Sequence, residues 1–297
     1  MKQDIHNFIQ YLHQEKQTSE NTEVSYERDL KKMILYLTAH GVDRIDAVTP
    51  EVLNSYVIEL EQSGLKPATV SRSVASMKAF FHYEELEQRT SADPAFELKA
   101  PKVEKKAPTI LTTEQTNRLL AQPKDNSAKG LRDKAMLELL YATGIRVSEC
   151  VGLDITDVDF RNNGIKVHRK GGAEVVVYFG DEVRTALLNY LEERNTIEAV
   201  EGSTHALFLS LQKKRIGVRA VENLVKKYSK LITTMKNITP HKLRSTYGTS
   251  LYRETGDIYL VADVLGHKDV NTTKKHYAAL EDERRRTAPK YIHLRDE

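Results

Sequence analysis

The chain has 297 residues, 40% of them hydrophobic, and a net charge of +3 at pH 7. That length favours about two domains, and the composition excludes wholesale disorder. No apolar run approaches the roughly 20 residues needed to cross a bilayer, the opening MKQDIHNFIQYLHQ lacks the apolar block of a secretory signal, and the single cysteine, Cys150, excludes an internal disulfide or a cysteine-rich zinc site. The expected setting is therefore a reducing cytoplasm, with no membrane among the partners.

The first hundred residues read as four short helices. Ile5, Phe8, Ile9 and Leu12 share one helical face. Ser19 is placed to cap a second helix with Tyr26, Leu30, Met33, Ile34 and Leu37 on its apolar side, and Gly41 stops it. Thr49-Pro50 is a cap followed by proline at the first helical position, ahead of Leu53, Tyr56, Val57 and Leu60. Gly64 ends that helix, and Pro67 opens a fourth with Val70, Val74, Met77, Phe80 and Phe81. Four helices in this length make a small bundle.

Residues 99–108, KAPKVEKKAP, hold two prolines and four lysines and read as a basic linker. Beyond it, Thr112 and Gln115 have capping-box spacing. A strongly apolar helix runs from about Leu131 to Ala142 and breaks at Gly144. The period then changes from helical to alternating. Val158 to Phe160, Ile165 to Arg169 and Val175 to Phe179 read as three strands, joined by Asn163-Gly164 and Gly171-Gly172 turns. The expected fold is mainly α, with a helical bundle followed by a mixed α+β domain that carries a small three-stranded antiparallel sheet.

The mild net charge is a sum of unlike parts. Residues 1–106 hold 14 Lys+Arg and 17 Asp+Glu, and residues 107–297 hold 31 and 25. Between 210 and 236, Lys213, Lys214, Arg215, Arg219, Lys226, Lys227, Lys230 and Lys236 stand against Glu222 alone. Such a basic field suits a polyanion; a solvated helix face is the plainer alternative.

Four further stretches concentrate reactive polar residues beside glycines or helix starts. Thr143-Gly144-Ile145-Arg146-Val147-Ser148-Glu149 puts an arginine at a helix N-terminus, where backbone N–H groups also face an anion. Arg169-Lys170-Gly171-Gly172 puts a lysine at a hairpin tip. In Thr239-Pro240-His241-Lys242-Leu243-Arg244, His241 and Arg244 fall at i and i+3 of a helix's first turn. Leu265-Gly266-His267 is followed by Thr272-Thr273-Lys274-Lys275-His276-Tyr277. Taken singly, each of these has an ordinary structural explanation.

Together and in this order, the stretches resemble the tyrosine recombinase/integrase (phage integrase) family, and within it the compact two-domain Xer-like recombinases. TGIRVSE is similar to the family's first-arginine motif, HKLR to its His-x-x-Arg motif, and LGH with TTKKHY to its closing histidine and tyrosine motif. TEVSYERDL and LKPATVSRSVASMKAFF resemble the family's N-terminal region. The resemblance implies a SAM-like core-binding DNA-clamp domain at 1–98, the basic linker at 99–108, and a catalytic domain of the DNA breaking-rejoining type at 109–297 that ends in a protomer-exchange segment. Tyr291, Ile292 and Leu294 would anchor that segment. Two features depart from the pattern. Arg169 and Ala173 stand where Xer-like members usually carry glycine and a second lysine. His267 and Tyr277 are ten positions apart, one more than in several members; Tyr277 is preferred over Tyr252 or Tyr291.

The resemblance implies that Arg146, Lys170, His241, Arg244 and His267 surround a scissile phosphate, with Glu149 in support and Tyr277 as the nucleophile. Two arginines can hold the non-bridging oxygens, and His241 would take the tyrosine proton. Lys170 would protonate the leaving 5′ oxygen. The product would be a 3′-phosphotyrosine, formed without metal or ATP. Double-stranded DNA is the implied partner, with Lys213, Lys214, Arg215, Arg219, Lys226 and Lys227 as candidate DNA contacts. The implied assembly is a homotetramer in the synaptic complex, or a hetero-oligomer with a related recombinase. The alternatives are a catalytically silent DNA-binding regulator and a topoisomerase-like relaxing enzyme.

Overall fold

The computed structural model describes residues 1–103, 110–169, 172–232, 238–267 and 270. The chain divides into two compact units, Met1–Lys106 and Ala107–Glu297. Among the described residues no helix is long and apolar enough to cross a membrane.

The first unit is built from α1 (Lys2–Gln14), α2 (Glu20–Ala39), α3 (Pro50–Gln62) and α4 (Pro67–Leu86). Its helix ends are written in the sequence. The Ser19 side chain accepts the Thr22 N–H, the Thr49 side chain accepts the Val52 N–H, and prolines open α3 and α4. Gly41 and Gly64 both lie beyond helix ends with φ of 76° and 74°, a conformation glycine adopts without steric cost. Phe8, Leu30, Met33, Leu37, Leu53, Met77, Phe80 and Phe81 are buried together. Ala95 and Leu98, beyond the last helix, join the same core. Asp29 is buried on α2 and is met by Arg72 of α4, whose Nε and Nη2 donate at 2.8 and 2.9 Å.

The second unit opens with α5 (Thr113–Leu120), closed by the expected capping box: Gln115 N–H donates to Thr112 Oγ1 at 3.2 Å, and Thr112 N–H to Gln115 Oε1 at 3.1 Å. The apolar helix α6 (Ala128–Thr143) carries buried Ala135, Met136, Leu137, Leu139 and Leu140, and packs on α8 (Asp181–Arg194) and α10 (Pro240–Thr255). Between α6 and α8 lie the short α7 (Val147–Gly152) and an antiparallel sheet in the order β1 (Val158–Asp159), β2 (Gly164–His168), β3 (Glu174–Tyr178). The register pairs Ile165 with Val177 and Val167 with Val175. The strands sit within a residue or two of their expected places. The first is shorter than expected because Asp159 Oδ1 accepts the N–H groups of Arg161 and Asn162, which turns the chain before Phe160 can pair. After α9 (Val218–Ser229) and α10, α11 (Ile258–Leu265) ends at Gly266.

A buried polar relay joins α6 to α9. Arg132 Nη2 donates to Asp133 Oδ1 at 2.6 Å, Arg132 Nη1 donates to the Leu209 carbonyl at 2.8 Å, and the Tyr228 hydroxyl donates to Asp133 Oδ2 at 3.0 Å. Burial and the adjacent Asp133 carboxylate push the Tyr228 phenol up to about 12, so it stays a neutral donor.

Candidate active site

The site grows from two helix C-termini. At the end of α6 the chain reverses through Gly144, whose φ is 61°. A Cβ there would lie 2.5 Å from Tyr247 Cδ1 and 3.0 Å from Leu265 Cδ2, so position 144 excludes a side chain on backbone and on packing grounds. The turn delivers Arg146 to the start of α7. Glu149 fixes it there: the Arg146 N–H donates to Oε2 and its Nη1 to Oε1, both at 2.7 Å. The carboxylate is 5% exposed and the arginine side chain 40%. The guanidinium is thus anchored through Nη1 on a buried carboxylate while the side chain stays partly exposed.

The second C-terminus is that of α11, where the Gly266 N–H donates to the Asp263 carbonyl and the His267 N–H to the Ala262 carbonyl. Arg146 Nη2 donates to the Gly266 carbonyl at 3.2 Å, spanning 120 positions of sequence. Arg244 lies deeper, 6% exposed on α10. Its Nη1 donates to the Gly144 carbonyl and its Nη2 to the Leu265 carbonyl. A buried guanidinium needs compensating negative charge. Here the terminal carbonyls of α6 and α11 supply it, each helix end carrying about half a negative charge. The Gly144 turn, the HKLR segment and the Leu265-Gly266-His267 turn therefore meet around one pair of arginines.

His241 sits on the first turn of α10, behind the Thr239 cap and Pro240, and is exposed where Arg244 is buried. His267 is half-buried immediately after the α11 turn. The arrangement can bind a doubly coordinated anion such as a phosphodiester, with charge-assisted donors around its non-bridging oxygens. Lys170 and Tyr277 lie outside the described residues, as do Tyr291, Ile292, Leu294 and linker residues 104–108.

The candidate DNA contacts separate by exposure. Lys213, Lys214, Arg219, Lys226 and Lys227 are exposed, Arg219 beside Glu222 at 3.4 Å and Lys227 Nζ 4.6 Å from the centre of the Tyr228 ring. Arg215 differs. It donates to the carbonyls of Val151 and Leu153 at 3.2 and 2.8 Å and pairs with Asp154, which ties its loop to the end of α7. Both of its terminal nitrogens have partners within the unit. Sequence reasoning also missed two neighbours of the site. Tyr247 packs beneath Gly144, and the Thr246 hydroxyl accepts the Leu111 N–H at 3.1 Å; only their place on α10 after HKLR marks them.

The fold and this arrangement define the class. The phage integrase family model matches residues 109–284, and the phage integrase N-terminal SAM-like domain model matches residues 5–88. The chain belongs to the phage integrase family. It is 32% identical over 270 residues to the tyrosine recombinase XerD of Staphylococcus epidermidis, covering 91% of this chain and 92% of that relative. Its fold is similar to that of the XerH site-specific recombinase in a post-cleavage complex with palindromic difH substrate, with a TM-score of 0.76, 18% identity, and coverage of 98% of this chain and 84% of that one. It is also similar to the Tn1549 transposon integrase in complex with transposon right end DNA, with a TM-score of 0.74, 20% identity, and coverage of 96% and 99%.

Proposed function

We propose that this protein is a site-specific DNA recombinase that cleaves and rejoins strands through a covalent 3′-phosphotyrosine. The observation that carries the reading is the convergence of Arg146, Arg244 and the Gly266–His267 turn on two helix C-termini, in a chain of the phage integrase family. A phosphodiester repels nucleophiles, and its transition state gathers charge on the non-bridging oxygens. Arg146 and Arg244 stabilise that charge, and His267 donates to one of the same oxygens. Arg146 does so without reorganising, because Glu149 already fixes its backbone and guanidinium.

Tyr277 attacks phosphorus, and its phenolic proton passes to His241. A tyrosine near pKa 10 needs this acceptor and the arginine field to react at neutral pH. The 5′ oxygen departs with a proton from Lys170. The phosphotyrosyl bond conserves the energy of the broken phosphodiester, so a 5′ hydroxyl from another strand rejoins DNA with neither ATP nor metal. Lys213, Lys214, Arg219, Lys226 and Lys227 contact the DNA backbone and grooves, while Arg215 holds its loop. The bundle of residues 1–98 binds the core site as a clamp, and residues 99–108 link it to the catalytic domain. A tetramer on paired sites, of this chain alone or with a related recombinase, exchanges C-terminal segments anchored by Tyr291, Ile292 and Leu294. The expected place of action is the cytoplasm, where chromosomal and element DNA is accessible.

The test uses duplexes selected by the protein from a random-sequence pool. Two differently labelled duplexes should yield a joined product, with EDTA present and ATP omitted. Relaxation of supercoils without joining would make it a topoisomerase-like enzyme, and binding without cleavage a silent regulator. Arg146→Ala and Arg244→Ala should each cost roughly 3–4 kcal/mol of transition-state stabilisation, the scale of a lost oxyanion donor. Near-normal cleavage by either variant would remove that arginine from the phosphate clamp.

A further inference from the structure

A third arginine meets the same helix end. Arg169 follows β2 directly. Its Nη1 donates to the Asp263 carbonyl at 3.3 Å and its Nη2 to the Val264 carbonyl at 2.9 Å. Its guanidinium also lies against Gly266, so closely that a Cβ on Gly266 would fall 2.1 Å from Arg169 Nη1 and 2.3 Å from Cζ. The last four carbonyls of this turn are thereby shared among three guanidiniums: Asp263 and Val264 go to Arg169, Leu265 to Arg244 and Gly266 to Arg146. The last carbonyls of a helix have no i+4 N–H within it, and of these four the Asp263 carbonyl also accepts the Gly266 N–H of the cap. The electrostatic attraction of each guanidinium to that end adds to its hydrogen bonds.

We propose that Arg169 is a positioning residue: it seats the end of β2 on the C-terminus of α11 and so fixes the Gly266–His267 turn against Arg146 and Arg244. Three consequences follow from the contacts. Removing Arg169 leaves the Val264 carbonyl to water and the Asp263 carbonyl to the Gly266 N–H alone, and unpins one side of the turn. The turn then loosens while the arginine pair keeps its own anchors, Glu149 and Gly144. And Gly266 is required partly because Arg169 occupies the space beside it, so the two positions are coupled.

The catalytic consequence rests on the recombinase reading, whereas the positional consequence does not, and the experiment reads both. In the full-length protein, hydrogen exchange at the Gly266 and His267 amides should be about tenfold faster in Arg169→Gly than in wild type, the effect of losing roughly one hydrogen bond's worth of local stability. Arg169→Lys should recover part of the protection. Gly266→Ala should destabilise the wild type more than it destabilises Arg169→Gly, because the second background has vacated the space. Unchanged exchange, or an equal cost of Gly266→Ala in both backgrounds, would overturn the proposal. On a nicked selected duplex, Arg169→Gly should form covalent adduct up to about 100-fold more slowly at unchanged DNA affinity, as expected for a loosened site. Faster exchange with normal adduct formation would refute the catalytic role of the seating. Faster exchange with no adduct even from wild type would leave the seating intact and refute the recombinase reading instead.

Discussion

Gly144→Ala probes the geometry of the site without reference to DNA. Two costs combine. An alanine at φ 61° pays the left-handed backbone penalty of about 1–2 kcal/mol. Its Cβ would also press on Tyr247 Cδ1 at 2.5 Å and Leu265 Cδ2 at 3.0 Å, an overpacking cost of about 1–3 kcal/mol. The expected loss is roughly 2–5 kcal/mol. Cys150 provides the readout, since it is fully buried in the core of the second unit and reports that unit alone. Its exposure to a thiol reagent across a urea series should shift to lower denaturant in Gly144→Ala. In a Tyr247→Ala background the same substitution should cost less, because the ring has gone and only the backbone term and the Leu265 contact remain. A loss below about 1 kcal/mol, or an identical loss in the two backgrounds, would refute the reasoning. Because the Gly144 carbonyl accepts from Arg244, DNA cleavage should fall further than stability does.

Other outcomes follow from buried groups. Burial pushes the Cys150 thiol up to about 12, so it should resist alkylation at neutral pH in the folded protein and react on unfolding; reaction at a free-thiol rate in the native state would contradict its burial. Tyr228→Phe removes the hydroxyl that donates to Asp133 and should cost about 1.5–3 kcal/mol, as for hydrogen bonds to charged groups, with a neutral effect in urea unfolding as the contrary result. Burial holds the Glu84 carboxyl above the usual carboxylate range, against the opposing pull of Arg89. Its folded state therefore binds the proton more tightly than the unfolded chain does. Its contribution is favourable at low pH and is lost as pH rises from about 4.3 through the folded-state value. Glu84→Gln should abolish that decline, and an unaltered pH–stability curve would show that Glu84 is not its source.

The parts of the fold that were legible are those set by local chemistry. Ser19, Thr49, Thr112 and Thr239 each cap the helix they precede, because an oxygen two or three residues before an N–H needs no tertiary help. The strand alternation and the glycine at 144 were legible for the same reason. The helix α8 was not, since Asp181–Arg194 follows a glycine and a strand with a weakly segregated apolar face, and its place comes from packing on α6. The basic cluster could not be resolved from charge alone. Arg215 carries the same charge as its neighbours, yet its fate depends on Val151, Leu153 and Asp154, some 60 positions away. Arg169 shows the same limit. Its place at a hairpin is visible in the sequence, but its acceptors are carbonyls 94 and 95 positions on, and carbonyls leave no mark in a side-chain pattern.

The recombinase reading stands or falls on Tyr277. A nicked duplex that loses a short strand on cleavage traps the enzyme on its DNA, and the adduct is read by denaturing electrophoresis with a 3′-phosphotyrosyl peptide mapped by mass spectrometry. Wild type should form the adduct with the phosphate on Tyr277, and Tyr277→Phe should bind the same duplex with wild-type affinity and form none. A full-level adduct in Tyr277→Phe, or a phosphopeptide mapping to Tyr252 or Tyr291, would contradict it.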